Sequence, residues 1–204
     1  MEQKYVNNVY ENIAKQFSDK RTTKWSWIDD FIYSKPKNTN ILDIGCGNGR
    51  NMEYEGYNFT GIDNCYNFTK ICKDKQLNVI LSDMTSLPFE DNTFDYIISI
   101  ASFHHLSNDE RREQALKEMK RVLKPDGEIL LSVWSIDQSH NKRLNFTYGD
   151  NFVPWKDKNS NIVEQRYYYI FNKDELNNLI SKYFIIKEWK YIHGNEIITL
   201  SLSS

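Results

Sequence analysis

The feature that most constrains this chain is a short apolar run, Asn40-Ile41-Leu42-Asp43-Ile44, that passes straight into Gly45-Cys46-Gly47-Asn48-Gly49. A brief, almost unbroken apolar segment is the pattern of a strand buried on both faces. Three glycines in five residues let the backbone turn sharply and approach a ligand with no Cβ in the way. The same rhythm recurs at residues 59–63 (FTGID), 79–83 (VILSD) and 94–100 (FDYIISI), the first two of these ending on an acid. Helix-period segments separate these runs. Residues 128–134 predict a fifth strand after a Pro125-Asp126-Gly127 turn, and residues 184–190 and 196–201 predict a closing pair around Gly194-Asn195. Strands alternating with helices, closed by a terminal antiparallel hairpin, predict a doubly wound α/β sheet.

The 204 residues suit a single domain, 1–204. Its parts are an N-terminal helical cap (1–37), a central core (38–134), a late loop (135–171) and a C-terminal helix with hairpin (172–204). In the cap, Val6, Val9, Tyr10, Ile13, Ala14 and Phe17 recur at helical spacing. Ser107 and Glu110 predict a capping box for the helix that follows the fourth strand, and Asn172 predicts the cap of the last helix. Residues 135–165 are polar and read as an irregular insertion. A net charge of −2 excludes a histone-like basic binder. A mean hydropathy of −0.67, with no long apolar run, predicts no membrane span. The opening residues lack the apolar core of a secretory signal, and Cys46, Cys65 and Cys72 have no paired spacing. Both point to a reducing cytoplasm, with no disulfide framework and no metal site.

The glycine loop limits the ligand. A dinucleotide fingerprint wants a glycine at position 50, where this chain has Arg50. Asp43, two residues before the first glycine, would repel a pyrophosphate and suits an ammonium or sulfonium centre instead. Asp63 closes the second strand, where an acid can accept both ribose hydroxyls. Asp83 and Met84 close the third, where an adenine edge and face can be met. The competing reading is a plain tight turn, with the three acids as helix caps.

With these residues in place, the chain resembles the class I S-adenosylmethionine-dependent methyltransferases over about residues 38–134. The resemblance implies a seven-stranded, mostly parallel, Rossmann-like sheet whose last strand is antiparallel. It also implies that Asp43, Gly45 and Gly47 hold the methionyl end of S-adenosyl-L-methionine, Asp63 the ribose, and Asp83 with Met84 the adenine. Tyr10, Asn64, Ile100 and His105 complete the expected cofactor contacts.

A narrower resemblance lies in Tyr5-Val6, Val9-Tyr10, Ile13-Ala14, Phe17, Arg21 and Trp25, and in Ile98-Ser99-Ile100-Ala101 with His104-His105. Arg111-Arg112, Phe152-Val153-Pro154-Trp155 and Arg166-Tyr167-Tyr168 extend it. Together they are similar to the eukaryotic tRNA methyltransferases that esterify carboxymethyluridine at the wobble position, and to the methyltransferase domain fused to an AlkB-type oxygenase. The segment between the last two motifs is cut to about residues 156–165, without a long charged insert. The implied reaction is attack of a carboxylate oxygen on the sulfonium methyl group. A carboxylic acid titrates near ~4, so the nucleophile needs no general base. Positioning alone can lower the barrier by about 7–11 kcal/mol. The resemblance makes Arg21, His105, Arg166 and Tyr167 the catalytic candidates, with a cation expected at the distal carboxylate oxygen.

Two partners follow. tRNA would meet Lys20, Arg21, Lys24, Lys35 and Lys37, and a later basic group of Lys142, Arg143, Lys156, Lys158 and Arg166. The resemblance also implies a small zinc-binding activator subunit forming a heterodimer. The third strand, residues 78–82, would be an apolar sheet edge open to such pairing. The alternatives are a methyltransferase of a small molecule, such as a quinone or lipid precursor, and a non-catalytic scaffold of the same fold.

Overall fold

The computed structural model describes residues 1–141, 144–157 and 159–203. Lys142, Arg143 and Lys158 of the late basic group lie outside them. Seven strands form one sheet in the order β3-β2-β1-β4-β5-β9-β8. They are β1 (Asn40–Ile44), β2 (Asn58–Asp63), β3 (Val79–Leu81), β4 (Phe94–Ile100), β5 (Leu123–Trp134), β8 (Ile185–Ile192) and β9 (Asn195–Ser201). β1 to β5 run parallel, and β9 is antiparallel to both β5 and β8. The seven-stranded, mostly parallel α/β expectation therefore holds.

The apolar runs are continuous because both sheet faces are covered. Leu42 and Ile97 join one core with Leu116 and Met119 of α4 (Asp109–Val122) and Leu176 of α5 (Lys173–Ile180). Their neighbours Ile41 and Ile98 point the other way, onto Ile28, Phe31 and Ile32 of α2 (Ser26–Tyr33). α1 (Asn8–Lys20), entered through a π-helical turn at Gln3–Asn7, packs on α3 (Tyr66–Asp74) through Tyr10, Ala14, Phe17 and Phe68. Strand order reverses between β1 and β4, so a crevice opens at their carboxyl ends. α1 lies across it.

Four local expectations are corrected. Asn108, not Ser107, caps α4, its side chain accepting from Arg111 N at 2.9 Å. Ser107 instead donates through its backbone N and hydroxyl to Glu2. The closing hairpin turns at His193-Gly194, with φ of 45° and 79°, one residue earlier than expected. Two left-handed residues in a row match strand twist, which is why a two-residue loop suffices there. β5 begins at Leu123 rather than at residue 128. The late insertion is not irregular throughout. β6 (Gly149–Lys156) and β7 (Ile162–Ile170) form a separate antiparallel pair. Its inner face seats Trp155 against Val9 and Ile13 of α1.

Candidate functional site

Two cavities meet beneath α1. The first lies at the carboxyl ends of β1 to β4 and holds about 920 Å³ of empty space, including the part open to solvent. Gly45, Gly47, Asp63, Asn64, Asp83 and Met84 line it, with Tyr10, Ile100 and His105. Most of the expected cofactor residues are thus brought together. Asp43 is not in the wall itself: it is 1 % exposed at the end of β1, behind the glycine loop.

Whether these residues fit a sulfonium ligand is answered by their unmet needs. Both Asp43 oxygens lack a hydrogen-bond partner among the described residues. Burial pushes its carboxyl up to about 8, helped by the Asp63 charge and opposed by Arg50. A buried carboxylate without a donor calls for a cation. A Cβ on Gly47 would point into open space, with nothing within 4 Å, and one on Gly45 would strike Ser102 Cβ at 2.4 Å. The loop is therefore packed behind and empty in front. Asp63 accepts from Gly47 N at 2.8 Å and Cys65 N at 2.9 Å, one on each oxygen. A lone pair on each oxygen is left for a diol. Burial lifts this carboxyl to about 6, against the lowering effect of the Cys65, Gly47 and Asn64 amides. Burial alone would raise Asp83 too. Donation from Thr85 and Arg111 outweighs it and holds that group below the usual range. The donor set suits an ammonium or sulfonium centre, a ribose and a base amino group in that order along the strand ends.

α1 and the N-terminal turn before it close this cavity. Arg111 Nε donates to Glu2 at 2.9 Å, Asn64 Nδ2 to Asn7 at 3.0 Å, and Asn67 N to Glu11 at 3.0 Å.

The second cavity, about 1810 Å³ on the same measure, lies between α1, the β8–β9 hairpin and the β6–β7 pair. Tyr10, Phe17, Arg50 and Ala101 line both cavities and mark the passage between them. Ala101 has φ 53°, a left-handed strain held at the end of β4 by its amide donating to Ser132. The two linings differ in sign. The first sets Glu2, Asp63 and Asp83 against Arg111, which pairs with two of them, and the shared Arg50, whereas the second has Arg21, Arg50, Arg166 and Lys156 and no acid among its described lining residues.

Arg166 is 6 % exposed, its guanidinium 5.1 Å from the Trp155 ring centroid and 5.5 Å from that of Tyr168. Its Nε has no partner among the described residues. Arg21 is exposed, near the mouth, 5.9 Å from the Phe17 ring. His105 Nδ1 donates to the Tyr167 carbonyl at 2.7 Å, because only a protonated nitrogen can pair with that oxygen. Burial lowers this imidazole to about 4, despite that bond. A neutral ring leaves Nε2 as an acceptor for the Tyr10 hydroxyl at 3.1 Å, and Tyr10 is followed by Tyr168 at 3.3 Å. His105 orients Tyr10 and carries no charge for an anion.

Tyr167 does not reach the site. Its side chain is fully buried and lines neither cavity, and its hydroxyl donates to Asp150 at 2.8 Å. Strand residues alternate faces, so Arg166 and Tyr168 share the inner face while Tyr167 is buried on the opposite face, against Phe152. Tyr168, Arg50, His104 and Trp134 were not singled out as site residues from sequence. Period-two alternation from Arg166 was the available signal for Tyr168, and adjacency to the glycine loop was the signal for Arg50. No group of three His, Cys, Asp or Glu residues among the described residues is placed to hold a metal ion.

Residues 42–131 match the family model described as a methyltransferase domain. A Schizosaccharomyces pombe tRNA (carboxymethyluridine(34)-5-O)-methyltransferase is 36% identical over 203 residues, 88% of this chain and 87% of that protein. An Arabidopsis thaliana protein of the same name is 42% identical over 148 residues, 71% of this chain but 36% of its own length. Among solved structures, a Methanosarcina mazei S-adenosylmethionine-dependent methyltransferase superposes with a TM-score of 0.70 at 21% identity, over 85% of this chain and 98% of that one. A Haloferax volcanii methyltransferase solved in complex with the Trm112 methyltransferase activator gives 0.70 at 14% identity, over 98% and 99%.

Proposed function

This chain belongs to the tRNA (carboxymethyluridine(34)-5-O)-methyltransferase family, and we propose that it esterifies the carboxylate of 5-carboxymethyluridine at the wobble position of tRNA. The observation that carries this reading is the change of sign between the two connected cavities. The acid-lined side suits a cation, and the side lined by Arg21, Arg50 and Arg166 suits an anion. S-adenosyl-L-methionine supplies a methyl group on a positive sulfur. Asp43, Gly45 and Gly47 would hold its methionyl end, Asp63 the ribose, and Asp83 with Met84 the adenine, with Asn64 and Ile100 beside it.

The chain's own work is positional. The carboxylate arrives ionised, so no residue need take a proton from it. Arg166 would bind the distal oxygen, leaving the proximal oxygen directed to the passage at Tyr10 and Ala101. Arg21 and Arg50 would steer the anion inward. His105 locks Tyr10 by accepting a hydrogen bond from its hydroxyl, and Tyr10 in turn faces Tyr168. α1 excludes water, which favours a step in which opposite charges cancel.

We take tRNA and a small activator subunit as partners. β3 is one edge of the sheet, and Ile80 and Leu81 are 36% and 50% exposed on it, which suits added strand pairing. Co-expression with the activator should raise solubility and melting temperature, and equal values with and without it would remove this interface. The three cysteines are free, which fits a reducing cytoplasm. The test of function is an anticodon stem-loop bearing 5-carboxymethyluridine, incubated with the protein, the activator and S-adenosylmethionine. A mass gain of one methylene that alkaline hydrolysis removes is expected. Methylation of small quinone or lipid acids instead, with none on the stem-loop, would overturn it.

A further inference from the structure

The methionyl end of S-adenosylmethionine is a zwitterion, with an ammonium and a carboxylate on one carbon. The acids of the first cavity answer its positive groups, and its carboxylate calls for a cation. Two cations line that cavity among the described residues, Arg50 and Arg111. Arg111 is already engaged, with Glu2 at 2.9 Å and Asp83 at 2.7 Å. Arg50 makes no ion pair with any described residue. Its side chain meets the Thr23 carbonyl, 3.4 Å from Nη1, and the Trp25 ring, whose centroid is 4.5 Å from the guanidinium carbon.

The place of Arg50 fits the task. It follows the glycine loop directly, and its backbone N donates to Asn48 Oδ1 at 3.4 Å. Stacking on Trp25 holds a planar cation beside that loop. Asp43 lies behind the same loop. The Arg50 charge favours its ionised form, although burial and then Asp63 outweigh it. The two groups therefore feel one another's field, yet both Asp43 oxygens lack a hydrogen-bond partner among the described residues. An ammonium and a carboxylate on one carbon can answer both. Burial, and then the like charge of Arg21, disfavours the Arg50 charge in the free protein. A carboxylate beside it offsets that penalty.

Resting on the cofactor placement proposed above, we infer that Arg50 holds the methionyl carboxylate and so makes the chain select S-adenosylmethionine over its decarboxylated counterpart. That counterpart keeps the sulfonium, ribose, adenine and ammonium and lacks only the carboxylate. Arg50 would then face the ligand's ammonium with nothing between to neutralise it. Attraction is lost and a repulsion of like charges is left, which is how a site rejects a near neighbour. A guanidinium has several N–H donors in a fork. One edge can take the carboxylate while others stay turned to the second cavity, which Arg50 also lines. Its contact lies at the carboxylate and not at the reacting methyl group, so Arg50 determines which donor molecule binds.

The experiment is calorimetry on the intact protein with two ligands that differ by one group, S-adenosylhomocysteine and decarboxylated S-adenosylhomocysteine. No methyl transfer enters the readout. The parent should bind the first about 10–100-fold more tightly. Arg50→Met keeps an apolar stem over Trp25. It should weaken S-adenosylhomocysteine by about that factor and leave the decarboxylated ligand within about threefold, so that the preference disappears. Arg50→Lys should keep most of the preference, because an ammonium still pairs with a carboxylate. Melting temperature without ligand is read for each variant, and Arg50→Gln takes the place of Arg50→Met if that variant unfolds. Equal affinity of the parent for both ligands would overturn the role of Arg50 and leave the cofactor site standing. So would a preference that survives loss of the charge, or equal weakening of both ligands. No binding of S-adenosylhomocysteine to the parent would overturn the cofactor placement itself.

Discussion

The two cavities under α1 are made of different material. The first is built largely from backbone: a glycine loop, strand ends and the amides that Asp63 gathers from Gly47 and Cys65. The second is built from side chains carried on β7, α1 and the closing hairpin, Arg166 among them. Backbone fixes the place of a ligand common to a fold, whereas projecting side chains choose its partner. The sharpest way to break this division is Arg166→Ala. If the second cavity alone handles the anion, ester formation falls by about 10²–10³-fold, the loss seen when one preorganised donor is removed. Cofactor affinity by calorimetry should then stay within about twofold. A loss of both together would make the two cavities one functional unit.

Asp63→Ala probes the other side. The carboxylate orders the glycine loop as well as facing the ribose position, so its removal leaves the Gly47 amide without its acceptor. An unsatisfied buried donor costs about 1–3 kcal/mol. Cofactor binding should weaken by about 10–100-fold, with turnover on the stem-loop recovering at saturating cofactor. Unchanged affinity would remove the ribose assignment and blur the contrast.

The first cavity was legible in the sequence and much of the second was not, for a physical reason. The strand at Asn40–Ile44 and the acids Asp43, Asp63 and Asp83 sit at fixed offsets from buried apolar runs, and that local pattern survives without knowledge of tertiary contacts. The second cavity depends on which face of β7 turns inward. Tyr167 was chosen and Tyr168 is the residue that lines it. A one-residue slip moves every side chain of a strand to the opposite face. Given Arg166 as an inward residue, alternation already pointed to Tyr168. The β6–β7 pair itself was hidden because Asn, Asp and Lys dilute its apolar alternation, so residues 135–165 read as a loop.

A smaller effect separates the cavities by pH. The Asp43 carboxyl moves from 3.8 to about 8 in the fold. Between those values the folded chain holds a proton that the unfolded chain has released. The free protein therefore loses stability from this group as pH rises from about 4 to about 8, and no more above that. A cationic ligand requires the ionised form, so binding expels a proton below pH ~8. Asp63, raised to about 6, adds the same sign below that pH. Cofactor affinity should climb by up to about tenfold per pH unit towards pH ~8 and then level. Calorimetry in two buffers of different ionisation heat would show the released proton. Asp43→Asn should flatten the profile and raise the melting temperature of the free protein at pH ~8. A flat profile in the parent would place the ligand's charge elsewhere.

The least effect expected comes from the strap that holds the N-terminal turn over the first cavity. Glu2 accepts from Arg111 and from the amide and hydroxyl of Ser107, and its side chain is 14% exposed against 34% for Arg111. Partly solvated pairs contribute about 0–1 kcal/mol. Arg111 also keeps Asp83, at 2.7 Å, so Glu2→Gln loosens only one end of the bridge. Cofactor dissociation should quicken by about two- to fivefold, with little change in the chemical step measured in single turnover. Faster release with an unaltered step would show that α1 acts on the first cavity as a cover. A matching fall in the single-turnover rate would mean that the same helix, through Tyr10 in its first turn, also sets the passage into the second.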